Sequence, residues 1–332
     1  MSDAPSPPLL ARFGLAVGHA TDIVGATGLT VVRGVDAPFR AAAHVLGRGT
    51  GSRELGPLDP AHLVDRVDAV LLTGGSAYGL EATAGVMRWM EERGRGFPVA
   101  GGIVPIVPAA VIFDLAPLGR FDLRPTPAMA YTACDAASTG AVAEGSVGAG
   151  TGATVGKVLG PTQAMKGGVG CAVVDLGDVA AMALAVVNAL GDVRDGAGRI
   201  IAGARAPGGG WVDAQRALLE GAPERYADAA GGNTTLAVVA VDRPLPRVLL
   251  RQLAAAASGA LHRRITPVGT SFDGDIVFAL SPHGAAGEVA HGTLLRLEAL
   301  VQAALEEAVE RAVREAVGRD GVPGLADAAS AG

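Results

Sequence analysis

Lysine is almost missing from this 332-residue chain. Of its 27 basic residues only Lys157 and Lys166 are lysines, so a lysine placed in an unusual loop carries weight. Cysteine is as scarce: Cys134 and Cys171 stand far apart, match no metal or redox spacing and allow at most one disulfide. Both read as small buried hydrophobes. The six histidines show no paired metal-ligand spacing, which argues against a zinc enzyme. A basic excess is absent too. The formal charge is −6, whereas nucleic acid or an anionic membrane would demand a positive field. Apolar stretches such as 179–187 are strand-sized and too short to span a bilayer. Residues 1–8 lack the basic region and apolar core of a signal peptide. The expectation is a soluble cytoplasmic protein with no cofactor, no metal, no nucleic acid and no membrane partner.

What is present is small and apolar. With 49 Gly, 20 Pro and 49% apolar residues, the chain reads as a globular α/β fold with many tight loops, large enough for one domain or two. Strands are expected at 13–22 and 29–35, joined by a Gly-rich turn, and at 67–72, 168–175, 179–187 and 276–280. Helical spacing covers 77–93, 126–144, 246–265 and 288–317, with a short helix hinted at 211–220. Residues 36–60 read as loop. Residues 103–115, broken by Pro105 and Pro108, read as an edge strand or irregular segment, and the polar, Gly-rich stretch 204–232 reads as the best linker.

Three loops carry chemistry. Thr73-Gly74-Gly75-Ser76 lies between a strand and a helix start, the arrangement that makes an anion or oxyanion site, or simply tight packing. The glycine run 145–156 ends in Lys157. It fails the phosphate-loop spacing, because Thr151 stands where a glycine is needed and Val158 where a Ser or Thr would hold magnesium. It also lacks the dinucleotide spacing. What remains is a backbone that approaches something closely and delivers a cation to it. The third loop, Gly231-Gly232-Asn233, feeds Thr234-Thr235 and the apolar run 236–241, a turn entering a buried strand. If the Asn233–Thr234 bond were cut, Thr234 would carry a hydroxyl and a free α-amine together, a nucleophile with its own base.

With that strand placed, five blocks in order resemble the DmpA-like hydrolases. They are 17–22 (Val-Gly-His-Ala-Thr-Asp), 72–82 (Leu-Thr-Gly-Gly-Ser-Ala-Tyr-Gly-Leu-Glu-Ala), 150–158, Gly232-Asn233-Thr234-Thr235 and Phe272-Asp273-Gly274-Asp275. That family comprises L-aminopeptidase/D-esterases, β-peptidyl aminopeptidases and nylon-oligomer hydrolases. The resemblance implies a four-layered αββα sandwich of the N-terminal-nucleophile type over residues 13–316, flanked by flexible tails at 1–12 and 317–332. It also implies self-cleavage at 233/234, and homo-oligomers, tetramers of the processed chain pair. Carried over residue by residue, it makes Thr234 the nucleophile, Lys157 the lysine beside it and Asn188 an oxyanion donor. Tyr78 falls in the same substrate-facing region, and Asp273 and Asp275 form the acidic pair. The Asn233–Thr234 junction is similar to the nylon-oligomer hydrolase branch; the β-peptidyl branch has Ser and Glu where this chain has its acidic pair.

The chemistry of the residues agrees. An α-amine of pKa about 7.7 is partly neutral near pH 7 and can take the hydroxyl proton. Lys157 would depress that pKa and the acidic pair would oppose it. The implied function is a self-processing N-terminal threonine amidohydrolase or aminopeptidase acting on small peptides, amino-acid amides or short oligoamides such as 6-aminohexanoate oligomers. The alternatives are acyl transfer of the ornithine-acetyltransferase kind, whose Ala-Thr-Met-Leu-type junction is absent here, and an uncleaved, non-enzymatic binding protein of the same fold. Apart from the family, Lys157 reads as a solvated loop charge, Asn188 as a strand cap, Tyr78 as a helix-packing residue and 273–275 as a hairpin turn.

Overall fold

The computed structural model describes residues 9–221 and 232–330. Ten strands, numbered along the chain, build two five-stranded sheets: β1 Leu15–Asp22, β2 Thr27–Gly34, β3 Phe39–Val45, β4 Ser52–Arg53, β5 Ala69–Thr73, β6 Ala109–Val111, β7 Gly168–Asp175, β8 Ala180–Asn188, β9 Thr234–Val241 and β10 Ile276–Pro282. One sheet has the order β1-β2-β5-β6-β4 and the other β7-β8-β9-β10-β3. Neighbours are antiparallel except β5 with β6 and β9 with β10. The larger helices are α1 Thr83–Glu91, α2 Pro127–Ala136, α3 Ala214–Leu219, α4 Arg247–Arg264 and α5 His291–Arg314.

The layering follows from strand periodicity. In β8, Met182, Leu184 and Val186 point between the sheets, while Ala181, Ala183, Ala185 and Val187 point at helices α4 and α5. β9 alternates likewise, with Leu236, Val238 and Ala240 inward and Ala237, Val239 and Val241 toward the helices. Across the molecule, Leu29, Val31, Ala69 and Leu71 pack beneath α1 and α2. The result is an αββα sandwich. Both faces of β8 and β9 are buried, which is why their sequences are nearly all apolar. Each fully buried Leu or Phe between the sheets contributes about 1.5–3 kcal/mol relative to exposure, so these strands form a stiff floor for whatever they carry. Small residues bring the layers close: a Cβ on Gly170 would lie 2.0 Å from the Ala308 carbonyl oxygen of α5.

Several sequence expectations shift. Residues 39–45, read as loop, form β3, since an edge strand of modest propensity gains its order from the ladder with β10. The segment after Pro108 is not at an edge. β6 is buried between β5 and β4, and both prolines precede it, so neither interrupts the ladder. The helix expected over 126–144 stops at Ala136, where Ser138 bridges to Val17 and its hydroxyl accepts from the Gly140 N–H at 3.0 Å. The helix expected from residue 77 begins as a 3-10 turn over Ser76–Ala82 and becomes α-helical only at Thr83.

Residues grouped with the tails are tied to the body. Leu10 is buried, and Arg12 bonds Asp175 and Asp242 at 2.7 and 2.8 Å. The stretch after α5 folds back so that Pro323 accepts from the Lys166 N–H at 2.9 Å and Asp327 accepts from Gly318 and Gly324. In the linker reading, 204–221 is docked: Asp192 accepts from the Ala204 and Ala214 amides at 2.8 and 2.6 Å, and Ala214 and Ala217 of α3 pack on Val158 and Leu190. Residues 222–231 of that linker, with Gly231 of the junction, and residues 1–8 of the tail lie outside the described residues. Among the described residues no helix is long and apolar enough to cross a membrane.

Candidate functional site

The two-residue period that sends Leu236 and Val238 inward also sends Thr234 inward, at the first rung of β9. Its direct cross-strand partner on β8 is Asn188, which shares that face with Val186. One rung therefore presents a hydroxyl and a carboxamide side by side. The parallel pairing of β9 with β10 extends upstream of both strands, so that Asn233 bridges Asp273 and the Thr235 N–H donates to Asp275 Oδ1 at 2.5 Å. The acidic pair thus reaches the junction through sheet register alone.

The Thr234 hydroxyl donates to the Asn233 carbonyl oxygen at 2.5 Å, and the Gly274 N–H donates to the same oxygen at 2.9 Å. One residue upstream, the Gly232 carbonyl accepts from Lys157 Nζ at 2.6 Å and from Asn188 Nδ2 at 2.8 Å. Lys157 Nζ also donates to Asn188 Oδ1 at 3.0 Å and to its backbone oxygen at 3.1 Å. Because Oδ1 takes this bond and the Thr154 N–H at 3.0 Å as well, the carboxamide is turned with its donor edge toward Gly232 and the Phe113 carbonyl. Gly232 adopts φ +121°, and a Cβ there would meet the Phe113 ring at 2.8 Å, so only glycine fits.

The electrostatics couple three groups. Burial lowers the Lys157 pKa to about 7, against the opposing pull of Asp273 and Asp275. Burial raises Asp275, helped by the like charge of Asp273 and opposed by the Thr235 and Gly269 N–H groups and Lys157. Burial also raises Asp273, opposed by Thr270 and Lys157. All three are driven toward their neutral forms, and Lys157 opposes the upward shift of both carboxyls.

Beside the junction lies a cavity of about 440 Å³, with Thr50, Ser76, Val111, Phe113, Phe272 and Thr234 among its lining residues. It is a mixed surface of aromatic, aliphatic and hydroxyl groups large enough for a small acyl chain. Ser76 holds φ +51° there, an uncommon conformation for a residue with a side chain.

Six of the seven residues singled out from sequence meet at this point: Thr234, Asn233, Lys157, Asn188, Asp273 and Asp275. Tyr78 does not line the cavity. It sits on the 3-10 turn beyond Ser76 and Ala77, is 58% exposed, and stacks under the Arg124 guanidinium at 4.1 Å. The Gly74-Gly75 turn is already filled, since the Gly75 N–H donates to Asp114 Oδ1 at 2.7 Å. The anion expected there is the protein's own. Sequence reasoning missed Phe113, a carbonyl acceptor with no polar side chain to flag it, and Gly274, whose working group is a backbone N–H. Its place between two aspartates was the available signal.

Gly274 leads to a first expectation. A Cβ there would lie 2.6 Å from Thr234 Oγ1, closer than real contacts allow, with the Gly49 carbonyl oxygen at 3.0 Å on another side. In Gly274→Ala the hydroxyl must move, so any reaction that uses this hydroxyl is expected to slow on the order of 100-fold, as for displacements approaching 1 Å. A mass-spectrometric time course of chain integrity, with thermal unfolding as control, checks this.

Comparisons with known proteins place the arrangement. The model of peptidase family S58 matches residues 13–324. An uncharacterized aminopeptidase of Mycobacterium leprae (strain TN) is 42% identical over 304 residues, covering 84% of this chain and 79% of that one. A 6-aminohexanoate-oligomer endohydrolase of Kocuria sp. (strain KY2) is 33% identical over 276 residues, covering 81% and 73%. Among solved structures, the L-aminopeptidase D-Ala-esterase/amidase of Ochrobactrum anthropi, described as a variant of the Ntn-hydrolase fold, superposes with TM-score 0.71 at 22% identity over 95% of this chain and 88% of that one. A Burkholderia sp. beta-aminopeptidase gives 0.70 at 22% identity over 99% and 94%. At that identity the two structures speak for the fold alone, an Ntn-hydrolase-type sandwich.

Proposed function

The chain belongs to peptidase family S58 and is a hydrolase of amide bonds, and from that premise we propose that it cuts itself between Asn233 and Thr234 and then uses the new N-terminal Thr234 as its nucleophile. The observation that carries this reading is the Thr234 hydroxyl held 2.5 Å from the carbonyl oxygen of the residue before it, an oxygen that also accepts the Gly274 N–H. That N–H supports negative charge as it builds on the oxygen. The hydroxyl oxygen adds to the Asn233 carbonyl carbon, the C–N bond breaks with the proton passing to the Thr234 nitrogen, and an ester links Asn233 to the hydroxyl. Water then cleaves the ester, leaving the Asn233 carboxylate and a free α-amine on Thr234.

In the processed protein that amine takes the hydroxyl proton during attack on substrate, and Asp273 and Asp275 orient it. Once Gly232 leaves, Lys157 Nζ and Asn188 Nδ2 lose the carbonyl they held and become donors for a substrate carbonyl. An acyl-enzyme on Thr234 follows and is released by water. The cavity's size and its Val111, Phe113 and Phe272 surfaces suit small peptides, amino-acid amides or short oligoamides, and the Kocuria relative acts on 6-aminohexanoate oligomers by name. Mass spectrometry of the purified wild-type protein tests the reading: two fragments, the second beginning at Thr234, are expected. A chain that stays whole and inactive refutes it. A substrate panel of aminoacyl p-nitroanilides beside 6-aminohexanoate oligomers then selects among the acyl groups.

A further inference from the structure

The chain's other lysine lies behind this site. Lys166 is 1% exposed, and its ammonium donates to the carbonyl oxygens of Thr151 and Ala153 at 2.8 Å each and of Gly150 at 3.3 Å. Three carbonyls stand within reach of its N–H donors, and burial lowers its pKa to about 7 against the pull of Asp114. The peptide pairing of Met165–Lys166 with Thr154–Val155 holds its backbone against the same loop. That loop continues directly to the Thr154 N–H, which bonds Asn188 Oδ1, and to Lys157.

A buried carboxyl lies behind the same loop. Asp114 is fully buried, accepts from the Thr27 hydroxyl and the Gly75 N–H at 2.7 Å each, and is felt electrostatically by Lys166. The loop rests on it, since a Cβ on Gly152 would lie 2.8 Å from Asp114 Cβ. Asp114 follows Phe113, whose carbonyl receives Asn188 Nδ2. Both ends of the Asn188 carboxamide are thus held by backbone adjoining these two residues.

We propose that Lys166, backed by Asp114 behind the same loop, is a positioning residue for the nucleophilic site: its Nζ gathers the Gly150, Thr151 and Ala153 carbonyls and so sets the Thr154 N–H and Lys157 against Asn188. The pair touches neither Thr234 nor the cavity. It acts through the orientation of Asn188, and so depends on the reading of Thr234 as nucleophile only where activity is measured.

Two measurements test it. In Lys166→Met/Asp114→Asn both charges are removed together, which spares the fold an unpaired buried ion. Asn keeps an acceptor for Gly75. The expected result is near wild-type thermal stability with self-cleavage and kcat each lowered at least about 10-fold, by analogy with displaced active-site groups, and KM within about 2-fold. Wild-type self-cleavage and kcat in this stable variant would mean that the two residues do not position the site, and would overturn the proposal. The second readout needs no catalysis. In the uncleaved Thr234→Ala chain, adding Lys166→Met accelerates amide hydrogen exchange across 148–157 at least about 10-fold while β8 and β9 keep their protection. Unchanged exchange there overturns the proposal whatever the activity. A chain that folds in neither variant assigns Lys166 to the whole fold and overturns it equally. If the Thr234→Ala chain is still cut at 233/234, the nucleophile reading has failed, and the exchange result then stands apart from it.

Discussion

Thr234→Ala remains a single 332-residue chain, and its amide hydrolysis falls on the order of 10⁴-fold or more, the scale of losing a covalent nucleophile. The hydroxyl's hydrogen bond is to the adjacent carbonyl, so its removal deletes little packing. A loss near 1 kcal/mol moves the melting temperature only about 1–2 °C in a chain of 332 residues. Thr234→Ser is the control. It keeps the hydroxyl but loses the β-methyl group that restricts χ1, so it cleaves itself about 10-fold more slowly and still turns over. Intact-mass spectra across hours, read beside p-nitroanilide release, separate the three proteins. Continued cleavage at 233/234 in the alanine variant would remove Thr234 from the chemistry.

Lys157→Met carries the second large effect. It deletes the donor at 2.6 Å from the Gly232 carbonyl and one of the two bonds that turn Asn188, and kcat falls about 10²–10³-fold, the usual cost of one preorganised donor. It also changes the pH profile with a definite sign. Lys157 lowers the pKa of both Asp273 and Asp275, whose burial raises them. Without the cation both rise further. If the ionised pair is what orients the Thr234 amine, the acid limb of kcat/KM moves to higher pH in the variant. An acid limb that stays in place or moves down would take the carboxylates out of that role.

How far these residues were legible differs from one to the next for physical reasons. A glycine run ending in one of only two lysines is a local pattern, and so is a polar junction opening onto an apolar strand; both could be read without a fold. The acidic pair around Gly274 was visible as a turn, but its meaning depended on β10 running parallel to β9. Asn188 stood at a strand end that any strand could have, and Tyr78 sat in a recognisable block yet faces Arg124 at the surface.

By itself, then, the sequence determined the continuous apolar runs that become β8 and β9, buried on both faces, the polar junction that opens onto β9, and the loop that brings a cation, because each rests on side chains within a few residues of one another. Only the tertiary structure decided that Thr234 faces Asn188 across one rung, that Gly274 offers its N–H to the Asn233 carbonyl, that Asp114 accepts from Gly75 in the Gly74-Gly75 turn, and that Lys166 Nζ donates to the carbonyls of Gly150, Thr151 and Ala153. Those pairings join residues tens of positions apart through backbone groups, which every residue carries alike, so nothing in the order of side chains marks them before the sheets have packed.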